Sequence, residues 1–199
     1  MAFRLEQQTN FMVQFVKILE YELNPSSEDV FSYLCRLTKQ AIDPPSKATG
    51  KLELSADVVL HSPLRRAVEC LKKNSQAEYQ PMGQLREIPF DLEKVCSKEE
   101  WAREGEVIVR RNFKKAFLED RLLTSREELF REVKEVIHVC RKLSKRHRVA
   151  VVSHSFRLKL IEAFLETGGE LEKRPELIND YILDHEKTYE FGGGFLYDV

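Results

Sequence analysis

Apolar residues recur along this chain in two rhythms, and the switches between them mark out its elements. Residues 11–23, FMVQFVKILEYEL, repeat apolar positions at spacings of three and four and predict an amphipathic helix. In NPSSEDVFSYLCRLTKQAI, Ser26 or Ser27 offers an N-cap for a second helix, which DPPSKATG stops. ADVVLHS is a short apolar run of the buried-strand kind. PLRRAVECLKK continues it as a helix, with Pro63 near the first turn, where its missing N–H is tolerated. YQPMGQLREIPFDL predicts a strand followed by irregular chain.

Further on, SKEEWAREG holds a capping box, Ser97 with Glu100, and Gly105 marks its stop. Residues 106–119 predict another helix, and the clearest helix runs from about Ser125 to Lys145. Its apolar stripe is Leu129, Val133, Val136, Ile137, Cys140 and Leu143, and Ser125 with Glu128 forms a second capping box. VAVVSHSFRLKLIEAFL, residues 149–165, reads as a buried strand, a polar turn and a helix that ends at Gly168-Gly169. The tail YEFGGGFLYDV predicts a hairpin turning at its glycines. Strands alternating with helices of ten or more residues predict a three-layer α/β/α sandwich with a mostly parallel central sheet. Residues 1–199 are expected to form one domain, with a helical insertion at about 91–123.

Composition narrows the classes without naming a function. The chain has 199 residues, 42% hydrophobic and 33% charged, which is ordinary globular composition. A formal net charge of −1 gives no global pull toward nucleic acid or anionic lipid, so any anion site must be local. No apolar stretch has the length of a membrane span, and the N-terminus lacks a signal-peptide pattern, so a cytoplasmic protein is expected. Cys35, Cys70, Cys96 and Cys140 contain no C-x-x-C pair and are expected to be reduced core thiols.

Two strand-to-helix junctions are the places for chemistry. At VVLHSPLRRA, a strand ends in Ser62 and a helix opens with Arg65 and Arg66. These arginines are either surface ion-pair formers or a planar fork for phosphate oxygens beside the positive end of the helix. At VVSHSFR, His154 is either a capping or core histidine or a phosphate-binding, proton-transferring imidazole. In GQLREIPF, Glu87 sits between apolar neighbours before a proline. It is either a salt-bridge partner or a general acid raised by burial. Glu135 with His138 lacks a second pair for a metal site, and Asp184-His185-Glu186 reads as a polar loop. No G-x-S-x-G elbow or P-loop is present, and RKLSKRHR reads as the solvated end of a helix.

In their order and spacing, VVLHSPLRRAVEC, LREIPF and VAVVSHSFRLKLI resemble the histidine phosphatase superfamily, also called phosphoglycerate mutase-like, over roughly residues 50–199. The resemblance implies a phosphate-binding role for Arg66 in S-P-L-x-R-A, with Ser62 at the strand end. It implies a proton donor at Glu87, from the L-x-E motif, and a phosphoryl contact at His154, from V-S-H-G. Ser155 replaces the glycine after that histidine, and Asp91 replaces the glycine that follows the phenylalanine of the second motif. The family opens with a strand ending in R-H-G-E/Q-T, whose histidine is the nucleophile. This chain has no histidine before His61 and no glycine before Gly50. The nearest counterpart is MAFRLEQQTNF: matching Arg4 to the family arginine puts Leu5 at the nucleophile's place, and matching Gln8-Thr9 puts Glu6 there.

Phosphohistidine catalysis needs a neutral imidazole nitrogen in line with the leaving oxygen, which leucine does not supply. Glutamate would set negative charge beside a phosphate dianion. The resemblance therefore implies a divergent member without phosphohistidine catalysis, needing no cofactor or metal. It would bind a phosphorylated small molecule, inorganic phosphate, or a protein partner such as a second copy of itself, with no role for nucleic acid or membrane. An active phosphomonoesterase or mutase-like enzyme with an altered nucleophile is the alternative, and an α/β domain without a phosphate site is the second. Trp101, the single tryptophan, falls in the expected insertion as pocket lid or as subdomain core.

Overall fold

The computed structural model describes residues 12–17, 29–45, 52, 54–71, 76–182 and 192–198. In chain order its strands are β1 (Val13–Lys17), β2 (Val58–His61), β3 (Glu78–Pro81), β4 (Val149–Ser153) and β5 (Gly194–Tyr197). Its helices are α1 (Val30–Thr38), α2 (Arg65–Cys70), α3 (Leu92–Val95), α4 (Lys98–Glu104), α5 (Glu106–Leu118), α6 (Arg126–Leu143) and α7 (Ser155–Glu166). The strands form one five-stranded sheet in the order β3-β2-β4-β1-β5, parallel except for β5.

The helix expected over residues 11–23 is corrected by β1. Its residues pair in parallel with β4, Val13 opposite Val149 and Lys17 opposite Ser153, and antiparallel with β5. Short apolar runs fit both rhythms, and long-range pairing decides between them; valine and phenylalanine favour the pleated surface. Only the second arm of the hairpin expected in the glycine-rich tail falls among the described residues. Its described strand, β5, builds its ladder on β1, and residues 183–191 lie outside the described residues, as do Ser26 and Ser27. Asp29 caps α1 instead, accepting a 3.0 Å hydrogen bond from the Ser32 N–H.

Period-two alternation builds the layers. Val13, Phe15, Val58, Leu60, Val149 and Val151 face a large apolar cluster that holds α1 and the buried stripes of α5, α6 and α7. Val16, Val59, Ala150 and Val152 face the opposite side, where Ala67 and Cys70 of α2 cover them. The sheet is therefore sandwiched between unequal helical layers. The α6 stripe read from the sequence is buried from Leu129 to Cys140, with Leu143 partly buried, and all four cysteines are buried and form no disulfide. The Ser97–Glu100 capping box forms with both bonds present, and Gly105 stops α4 at φ +60. No helix among the described residues is long and apolar enough to cross a membrane.

Candidate functional site

Parallel register brings the carboxyl ends of β2, β4 and β1 side by side, because Val152 lies opposite both His61 and Val16. The residues that follow or close these strands are Ser62, His154 and Lys17. Unpaired backbone groups collect at such an edge, and ligands of open α/β sheets bind there.

At the first junction the two arginines divide. Arg65 is solvent-facing and pairs with Glu69 at 2.7 Å, one helical turn on. Arg66 is buried, and its Nη1 lies 3.2 Å from Asp43 Oδ1. Asp43 also accepts the Arg65 backbone N–H at 2.6 Å. One carboxylate thus holds both the arginine and the start of α2.

At the second junction His154 is the N-cap residue of α7 but gives that helix no side-chain cap. Its Nε2 shares a 2.9 Å hydrogen bond with Ser62 Oγ, and both residues are buried. Ser62 Oγ also accepts the Leu64 N–H at 3.3 Å, so it stands behind the imidazole, braced by its own turn. Burial first, and then the positive charges of Arg66, Arg157 and Lys17, hold the His154 pKa well below its usual range, so the ring is neutral at physiological pH.

Glu87 supplies the cap that His154 does not. Its carboxylate accepts the Arg157 N–H at 3.0 Å and the Phe156 N–H at 3.3 Å, the second and third donors of α7, and the Ile88 N–H at 3.0 Å. Burial raises its pKa, while these three N–H groups and Arg66 act the other way. Arg157 locks the same loop from the other side: Nε donates to the Arg86 carbonyl at 3.0 Å and Nη2 to Glu132 at 2.7 Å.

Arg66, Glu87, His154 and Ser155 line one cavity of about 140 Å³. Its far wall is apolar and includes Leu34, Phe90, Trp101 and Phe156. Ser62, expected to bind phosphate, is not part of the lining and instead bonds the His154 ring. Glu135 instead accepts a 2.7 Å hydrogen bond from Gln84. Arg4, the candidate positions Leu5 and Glu6, and Asp184-His185-Glu186 lie outside the described residues. Among the described residues no group of histidine, cysteine, aspartate and glutamate is arranged to hold a metal ion.

The sequence model of the histidine phosphatase superfamily (branch 1) matches residues 46–181. The chain belongs to the histidine phosphatase superfamily. Its mostly parallel five-stranded sheet between helices is that of a phosphoglycerate mutase-like fold. Among curated protein sequences none matches the chain. Within the histidine phosphatase match lie both junctions and the Glu87 loop, whereas β1 precedes it.

Sequence reasoning missed three contributors. Asp43 precedes a Pro-Pro pair, and nothing local ties it to an arginine 23 positions on. Arg157 stands in the first turn of α7, where a cation opposes the helix dipole; that misfit was the available signal. Lys17 was hidden by the helical reading of β1.

Proposed function

We propose that this histidine phosphatase superfamily member binds a phosphorylated small molecule, or inorganic phosphate, between Arg66 and His154 without carrying out phosphohistidine turnover. The observation that carries the reading is one cavity that joins a buried arginine, a neutral histidine and a raised carboxyl at the strand ends. Arg66 is the fixed positive charge and planar donor for phosphate oxygens. His154, with Nε2 engaged by Ser62, presents a neutral ring to the cavity. Glu87 holds the start of α7 through the Phe156 and Arg157 N–H groups, which orients the His154 turn.

The missing nucleophile supports the second half of the reading. Lys17 closes β1 opposite Ser153, the residue before His154 on the neighbouring chain segment. The sequence there is Lys17-Ile18-Leu19-Glu20. It carries a cation followed by apolar residues and no histidine. Loss of a nucleophile leaves binding and electrostatic stabilisation, orders of magnitude below a complete site.

Thermal unfolding with added orthophosphate, sulfate or vanadate tests the binding. Saturating anion is expected to raise Tm by several degrees, since ligand at about 100 times Kd adds roughly 2.7 kcal/mol. In Arg66→Ala the rise is expected to vanish. An unchanged Tm in the native protein, or an equal rise in the variant, overturns the reading.

A further inference from the structure

The cavity that holds Arg66 and His154 does not end there, and what it lacks is as telling as what it has. Past the charged end its wall is built from Leu34, Leu37, Phe90, Trp101, Val109 and Phe156. Three of the surrounding rings are locked together: Phe156 stacks on Phe113 with centroids 4.0 Å apart, and Phe90 meets Phe113 edge-on at 5.3 Å and Phe156 edge-on at 5.9 Å. Trp101 packs against Phe31 at 6.2 Å. The polar side chains along this stretch each make a bond within the protein. Thr38 Oγ1 donates to the Cys35 carbonyl at 3.2 Å, Gln40 Nε2 donates to the Glu87 carbonyl, and Arg110 pairs with Glu106 at 2.9 Å.

A polyhydroxylated ligand would bring hydroxyls to a wall with few free partners, and burying them unpaired is unfavourable. An apolar body would gain from the same wall. The whole cavity, charged end included, is about 140 Å³, on the order of the roughly 150 Å³ engineered apolar cavities that take up benzene, so beside a phosphate it limits the organic part to a small apolar group.

Building on the phosphate reading above, we infer that the ligand is a phosphomonoester of a small apolar group, an aryl or short-chain alkyl phosphate, with its phosphate at Arg66 and His154 and its organic part against Phe90, Trp101 and Phe156. Selectivity then comes from α1, α4 and α5, which supply Leu34, Trp101 and Val109. The anion alone is common to every phosphorylated metabolite.

Calorimetric titration of inorganic phosphate, methyl, propyl and phenyl phosphate, and a hexose phosphate tests this on the full chain, with Trp101 emission as a second readout. Trp101 is the chain's single tryptophan, so its signal reports the apolar end directly. Affinity is expected to rise about fourfold per buried methylene along the alkyl series. Phenyl phosphate is expected to bind at least tenfold tighter than inorganic or hexose phosphate and to shift Trp101 emission. Val109→Asn, which adds polarity without charge, is expected to erase the phenyl advantage while keeping inorganic phosphate binding, which also shows that the variant is folded. Phosphate binding with no preference for phenyl, or with preference for the hexose ester, overturns the inference and leaves the phosphate site standing. No binding of any member, inorganic phosphate included, overturns the phosphate reading and the inference with it.

Discussion

Asp43 occupies the position an incoming anion would contest. Its carboxylate touches the buried Arg66 guanidinium and the Arg65 N–H, two donors that also suit a phosphate oxygen. Asp43→Asn keeps the shape and removes the rival charge. Phosphate affinity measured by calorimetry is expected to rise on the order of tenfold, about 1.4 kcal/mol. Weaker binding would instead show that Asp43 positions Arg66 for the ligand. His154 carries a second consequence. Its folded pKa lies well below the ordinary 6.5 because burial, Arg66, Arg157 and Lys17 all disfavour the charged ring. The unfolded chain therefore binds more protons just below that pH, and stability falls as pH drops below 6.5. The slope this group adds is at most about 1.4 kcal/mol per pH unit. Glu87, raised by burial, contributes with the opposite sign at lower pH. The comparison is thus native protein against His154→Asn by urea unfolding from pH 7 to 5: the variant is expected to lose less stability on acidification. Parallel curves would contradict the buried neutral ring.

At the scale of elements, the site rests on the join between α6 and α7. Arg157 is almost wholly buried, bonded to Glu132 on α6 and to the Arg86 carbonyl, while its Nη1 finds no hydrogen-bond partner among the described residues. Burial lowers its pKa, and Glu132 opposes that shift. Glu132→Ala would leave a buried cation without its counter-charge, a loss of about 3 kcal/mol by urea denaturation. Glu132→Gln, which keeps an acceptor, is expected to fall between. A loss under about 1 kcal/mol in the alanine variant would show that Arg157 turns outward at little expense. The elements also show what local pattern can carry. The β2–α2 and β4–α7 junctions, the α4 capping box and the α6 stripe were legible because each is set by neighbouring residues. β1 was not, because a run as short as VQFVK is ambiguous until β4 and β5 settle on it from the far end of the chain.

For the whole molecule, the same division explains how much of the site could be read. Arg66, Glu87 and His154 were legible as candidates, and the fold brings all of them to one cavity. Their interactions were not legible. Asp43 on Arg66, Glu87 on the α7 amides and Trp101 at the apolar end are contacts between segments distant in sequence, which no spacing encodes. Register places Lys17 beside the end of β4, and the sequence around it has no histidine. As proposed above, the protein binds phosphate at this edge without phosphohistidine turnover. Phosphorus-31 NMR of phenyl phosphate with the native protein and with Arg66→Ala tests that account most directly. The ester resonance is expected to broaden or shift saturably with native protein alone, with no orthophosphate signal growing beyond the protein-free control. Steady accumulation of orthophosphate, or an ester resonance unchanged by the native protein, would contradict it.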